Sequence, residues 1–97
     1  MYEDNIKILE KSGVKNQILI WVEELSELQK ALTKWGRKYD ELNGQISKEL
    51  RDDIVEEYVD VIICLNQICK AIKITDAEVI KWYEYKIDRQ KKRMGLK

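Results

Sequence analysis

Apolar residues recur every three or four positions along most of this chain, the period of an α-helix with one covered face. From Val14 to Lys38 the residues Ile18, Trp21, Val22, Leu25, Leu28, Leu32 and Trp35 fall on one such stripe. A second long run, from about Ser47 to Ile72, places Ile54, Tyr58, Val61, Leu65, Ile68 and Ile72 at alternating steps of four and three. A short helix over about Tyr2 to Lys11 precedes them, stopped by Ser12-Gly13. A fourth runs to about Met94, ends at Gly95, and carries Ile80, Tyr83, Ile87 and Met94 on one face. Ser47 has the character of an N-cap, and Thr75-Asp76-Ala77-Glu78 has the capping-box pattern. The loop is clearest from Asp40 to Gln45, which contains Asn43-Gly44. The expected fold is all-α with four helices. The two long ones lie antiparallel in the centre, as the loop between them permits.

Length narrows this further. Ninety-seven residues suit one domain, over 1–97. The apolar arcs of the two long helices are wider than so small a chain covers alone, which predicts a homodimer or a tetramer. No apolar run approaches the roughly 20 residues of a membrane span, because Asp60 breaks the longest, Val59 to Leu65. Met1-Tyr2-Glu3-Asp4 has neither the basic nor the apolar region of a secretory leader. Cys64 and Cys69 stand about 140° apart around one helix, too far round to bridge within it. Reduced thiols and a cytoplasmic location are therefore expected.

The candidate chemistry is acidic. Glu24 and Glu27 are three apart on the second helix, as are Glu57 and Asp60 on the third, so each pair shares a helix face. Both pairs border the apolar stripe. The rows Ile20, Glu24, Glu27, Ala31 and Glu57, Asp60, Cys64, Gln67, Ala71 contain no lysine or arginine. A carboxylate at a core boundary requires compensation. Four converging carboxylates suit a hard divalent cation such as Mg²⁺, with Mn²⁺ as a substitute. Histidine is absent, so any metal must be held by oxygen. With 37% of residues charged, such spacing also arises on solvated faces. A non-catalytic helical interaction module is therefore the alternative reading. Glu23 and Glu56 point toward other faces.

A basic stripe lies on the fourth helix, where Trp82, Lys86, Arg89 and Arg93 follow at steps of four, three and four. Arginine and lysine there suit phosphate oxygens, although cations also gather at helix C-termini because the dipole favours them. Eighteen basic and eighteen acidic side chains cancel, which counts against nucleic acid as a partner. Trp21 and Trp35 flank the acidic row. Core packing suits both, and Trp35 sits where an aromatic ring would stack on a base. Gln67 lies one row beyond Asp60, within reach of a ligand.

Three segments together carry a resemblance. Trp21-Val22-Glu23-Glu24-Leu25-Ser26-Glu27-Leu28 is followed after about thirty residues by Glu56-Glu57-Tyr58-Val59-Asp60-Val61. Last comes Glu84-Tyr85-Lys86-Ile87-Asp88-Arg89-Gln90-Lys91-Lys92-Arg93. This order resembles the all-α nucleotide pyrophosphohydrolases, the MazG-like proteins and their dimeric dUTPase and dCTPase relatives. It is most similar to the short single-domain proteins of bacteria and phages. The likeness spans about Asn16 to Met94. It implies a MazG-like fold whose site lies near a subunit interface, with Glu24, Glu27, Glu57 and Asp60 as Mg²⁺ ligands. It also implies hydrolysis of a nucleoside triphosphate, ribo or deoxy, to the monophosphate and pyrophosphate. The phosphates then fall to Lys86, Arg89 and Arg93, the attacking water to Glu27, and the base to Trp35. Many members carry an asparagine near the basic segment, where this chain has Asp88; no role is transferred to it.

Overall fold

The computed structural model of the protein describes residues 2–97. It has four helices, α1 (Tyr2–Ser12), α2 (Val14–Lys38), α3 (Lys48–Ile72) and α4 (Asp76–Arg93), and no strand among the described residues. The all-α expectation holds, and the helix ends fall within two residues of those read from the pattern. Packing divides the chain into two compact units, up to Gln67 and from Ile68 onward, so α3 begins in one and ends in the other. No helix among the described residues is long and apolar enough to cross a membrane.

Local chemistry fixes each boundary. Gly13 breaks α1 from α2 at φ +86°, a conformation that needs no Cβ. After α2 the chain turns through Asn43 and Gly44, both at positive φ, and Gly44 N–H donates to the Tyr39 carbonyl at 2.8 Å. The Tyr39 ring closes over Gly44, where a Cβ would stand 3.2 Å from the phenol oxygen. Ser47 Oγ accepts from Leu50 N–H and starts α3 as an N-cap. Lys73 ends α3 in the left-handed conformation at φ +58°, and Ile74 N–H reaches back to the Cys69 carbonyl at 3.0 Å. That is the 6→1 bond of a Schellman cap, with lysine where glycine is usual. Thr75 and Glu78 form the expected capping box at the start of α4. Gly95 closes α4, with Leu96 N–H on Lys91 O and Gly95 N–H on Lys92 O.

In the unit up to Gln67, Gln17 and Trp21 of α2 bond Gln67 of α3. Further along α2, Glu24 meets Asp60 and Glu57. Residue numbers rise on one helix as they fall on the other, so α2 and α3 run antiparallel. Trp21, Leu50, Val61 and Cys64 are buried in this unit together with polar Gln17, Gln67 and Asn5 of α1.

This seam is not the one the hydrophobic stripes predict. On α2 only Trp21 of the expected stripe is buried. Ile18, Val22, Leu25 and Leu32 are each more than 40% exposed. On α3 Val61 is buried, whereas Tyr58, Leu65 and Ile72 are exposed; on α4 Ile80, Tyr83, Ile87 and Met94 are exposed as well. The physical reason is that α3 from Tyr58 to Leu65 is apolar at every position but Asp60. Such a helix has no single apolar face, and hydrophobicity alone does not choose the arc that meets a neighbour. The helices meet along the arc that carries the acids and the glutamines.

Two substitutions check the turn chemistry. Lys73→Gly is expected to raise stability by about 1 kcal/mol, the penalty of holding an L side chain in the left-handed region. Gly44→Ala is expected to lower it by at least about 1 kcal/mol, from the same conformational strain and the contact with Tyr39. Urea unfolding followed by circular dichroism reads both.

Candidate metal centre

Glu24 enters from α2, and Glu57 and Asp60 enter from α3. They converge because Trp21 and Glu24 share the arc of α2 that faces α3, while Glu57, Asp60, Cys64 and Gln67 follow one another along the facing row of α3. One carboxylate oxygen from each of the three acids lies within 4.8 Å of the other two, and all three residues are half-buried.

The electrostatics are one-sided. Burial pushes the Glu24 carboxyl above its ordinary 4.5. The Asp60 charge, a hydrogen bond with Asp60, and the charges of Glu57 and Glu23 push it further. Burial also raises Glu57, followed by the charges of Asp60, Glu27, Glu56 and Asp53. The charges that raise these two groups are all acidic. Cys64 of the same α3 row is 3% exposed. Burial first, then the charges of Glu24 and Asp60, pushes its thiol above the ordinary 9.0, so it stays neutral. Both cysteines are free.

The donor set fits a hard divalent cation. Octahedral Mg²⁺ with bonds of about 2.1 Å sets neighbouring oxygens roughly 3 Å apart and opposite ones roughly 4.2 Å apart. Modest side-chain rotation brings the three oxygens into that range. A cation there would offset the repulsion.

The other sequence candidates stand as follows. Glu27 lies outside the three-acid cluster. Its Oε1 is 3.4 Å from Lys30 Nζ on an exposed part of α2, yet its charge still raises Glu57. An exposed pair of this kind holds Glu27 weakly. Trp35 is half-buried at the end of α2, tilted against Tyr39 at 5.9 Å, and its indole N–H donates to the Gln45 carbonyl at 3.3 Å. In the unit from Ile68 onward, the Arg89 guanidinium sits 5.8 Å from the Tyr85 ring centre, and Tyr85 meets Trp82 edge-on. Asp88 is ion-paired with Lys92 at 3.0 Å. Lys86 borders a shallow groove with Ile72, Ile74, Val79, Trp82 and Tyr83. Arg93 is exposed at the end of α4.

Gln67 differs from its expected role. It is 3% exposed, and its amide oxygen accepts from Gln17 Nε2 and Trp21 Nε1, both at 2.8 Å. Its amide nitrogen donates to Asn5 Oδ1 at 3.3 Å. It is engaged with the protein rather than open to a ligand. Sequence reasoning did not connect these residues. The available signal was polar Gln17 one turn before Trp21, on the same arc as Glu24.

Comparison of the chain with models of known protein families, with curated proteins and with solved structures finds no match.

The raised carboxyls give a pH test in metal-free buffer. A carboxyl whose folded pKa exceeds its unfolded value contributes stability that is fully present below the unfolded value and lost as pH rises through the folded one. For Glu24 and Glu57 that loss begins near 4.5 and continues upward. Glu24→Gln is therefore expected to flatten the fall in melting temperature from pH 4.5 toward 7 and to raise the midpoint at neutral pH. Glu78 acts oppositely: its bonds to the Thr75 backbone and hydroxyl hold its carboxyl below 4.5. Its stability is present above 4.5 and lost as pH falls through the lowered value. Glu78→Gln is expected to remove that acid limb.

Proposed function

We propose that this protein is a Mg²⁺-dependent nucleotide pyrophosphohydrolase of MazG-like type, hydrolysing a ribo- or deoxynucleoside triphosphate to its monophosphate and pyrophosphate. The observation that carries the proposal is the meeting of Glu24, Glu57 and Asp60, a half-buried acidic cluster in which neighbouring acids raise the Glu24 and Glu57 carboxyls. The resemblance of the three sequence segments supports the substrate class. Bound at the cluster, Mg²⁺ supplies charge that screens phosphate oxygens and acidifies water.

The chain's own residues do the rest. Glu24, Glu57 and Asp60 hold the ion. Glu27, once released from Lys30, orients the attacking water and accepts its proton. Lys86, Arg89 and Arg93 take the phosphates, Arg89 through the planar fork that suits two oxygens. Trp35 offers an aromatic ring to the base. Mn²⁺ serves in place of Mg²⁺.

The exposed apolar arcs of α2 and α3 support a homodimer or dimer of dimers, because exposed patches of this extent mark interfaces. The same arcs favour the second reading, a non-catalytic helical module whose acids are structural. The free thiols of Cys64 and Cys69 support cytoplasmic residence under either reading.

Purified protein is expected to release pyrophosphate from at least one member of an NTP and dNTP panel, only with Mg²⁺ or Mn²⁺. Glu24→Gln and Asp60→Asn are expected to abolish turnover with the helices intact. Glu27→Gln is expected to lower kcat by about 10²–10⁴-fold while metal binding persists. No metal-dependent turnover across the panel would remove the enzyme assignment. At constant ionic strength, Mg²⁺ at a hundred times its Kd is expected to add about 2.7 kcal/mol of stability. The interaction-module reading expects a response to ionic strength alone.

A further inference from the structure

We infer that Gln67 is a positioning residue: its buried amide sets the register of α2 on α3 and thereby the separation of Glu24 from Asp60. The inference rests on the metal-centre reading for its functional consequence, and on hydrogen-bond geometry for its structural one.

The acids cannot set their own geometry. When ionised, Glu24, Glu57 and Asp60 carry like charge, so without a cation they push α2 and α3 apart where they meet. Hydrophobic contact does not choose the register either, because α3 is apolar nearly all round over Tyr58–Leu65. The missing constraint lies one helical turn along α2. Gln67 Oε1 accepts from two donors on successive turns of α2, Gln17 Nε2 and Trp21 Nε1, at 2.8 Å each. Sliding α2 along α3 lengthens at least one of these bonds. A slide by one residue is ~1.5 Å, several times the ~0.5 Å width of the ordinary hydrogen-bond range.

The orientation of the amide is also unique. Turned over, its NH₂ would face the indole N–H of Trp21, which can only donate. The other end of the same amide donates to Asn5 Oδ1 at 3.3 Å, so one side chain ties α1, α2 and α3. Asn5, Gln17, Trp21 and Gln67 are each 8% exposed or less. Water cannot readily replace a lost partner there, which makes the arrangement specific. Trp21 precedes Glu24 by three residues, and Gln67 follows Asp60 by seven, on the arcs that face each other. The clamp is therefore transmitted to the acids through less than two turns of regular helix. A single buried polar contact that fixes register is the best-attested role for such groups.

Gln67→Met tests this, because it keeps the length and approximate volume of the side chain and removes the acceptor. Two readouts are taken on the full chain. Mn²⁺ affinity is read by electron paramagnetic resonance. The α2–α3 distance distribution is read by double electron–electron resonance between nitroxides on cysteines placed at exposed Gln29 and Asp52. Cys69 is replaced by serine, and buried Cys64 is left unlabelled. The expected result for Gln67→Met is at least a tenfold loss of Mn²⁺ affinity and a broadened distance distribution, with wild-type helix content. Gln17→Met, which keeps the Trp21 bond, is expected to lose less and stands in if Gln67→Met does not fold. Unchanged affinity, or lost affinity with an unchanged distribution, overturns the inference. Should the wild-type chain bind no Mn²⁺, the metal-centre reading falls. The distance comparison alone then decides whether Gln67 sets the register.

Discussion

The structure up to Gln67 is organised around a repulsion. Three carboxyl groups from two helices are brought within 4.8 Å of one another at a half-buried seam, and the charges around them are negative too. Left alone such a cluster drives the helices apart. That they remain together requires two things: a proton or a cation among the acids, and an attachment elsewhere that keeps α2 and α3 in place. Burial and the neighbouring acids raise the Glu24 carboxyl and so favour a proton there, and the Gln67 amide supplies the attachment.

Much else follows from this choice of seam. Because α2 and α3 meet along the arc that carries acids and glutamines, their apolar arcs turn outward. Ile18, Val22, Leu25 and Leu32 on one helix and Tyr58 and Leu65 on the other are left exposed. The molecule gives up hydrophobic burial along its central seam in exchange for a polar arrangement of defined geometry. That exchange would suit the proposed ion site, since stability and preorganisation make different demands on the same residues.

The helix ends were legible because each is governed by one or two residues. Gly13, Ser47, the Thr75–Glu78 pair and Gly95 act locally, and their chemistry is visible in isolation. Lys73 in a glycine conformation was not, since no local preference puts it there. The acid pairs were legible from their three-residue spacing, and the structure brings Glu24, Glu57 and Asp60 together as that spacing suggested. Glu27 shares the spacing, yet it lies beside Lys30, which comes three positions after it on the same helix. The acid rows meet, as antiparallel packing of the two long helices implies, whereas the hydrophobic stripes beside them stay largely exposed because a helix apolar on most sides offers no unique stripe. Gln67 was seen as a residue beside a ligand rather than as a link between helices. Its partners, Asn5 and Gln17, are sixty-two and fifty positions away, and helical periodicity carries no information across such intervals.

The central claim is that Glu24, Glu57 and Asp60 form a centre for one hard divalent ion. Anomalous diffraction from crystals grown with Mn²⁺ measures this directly. The account predicts a peak between α2 and α3, within roughly 2.1–2.3 Å of a carboxylate oxygen from each of the three acids. Ordered acids with no anomalous peak among them, at Mn²⁺ concentrations that occupy ordinary carboxylate sites, would contradict it.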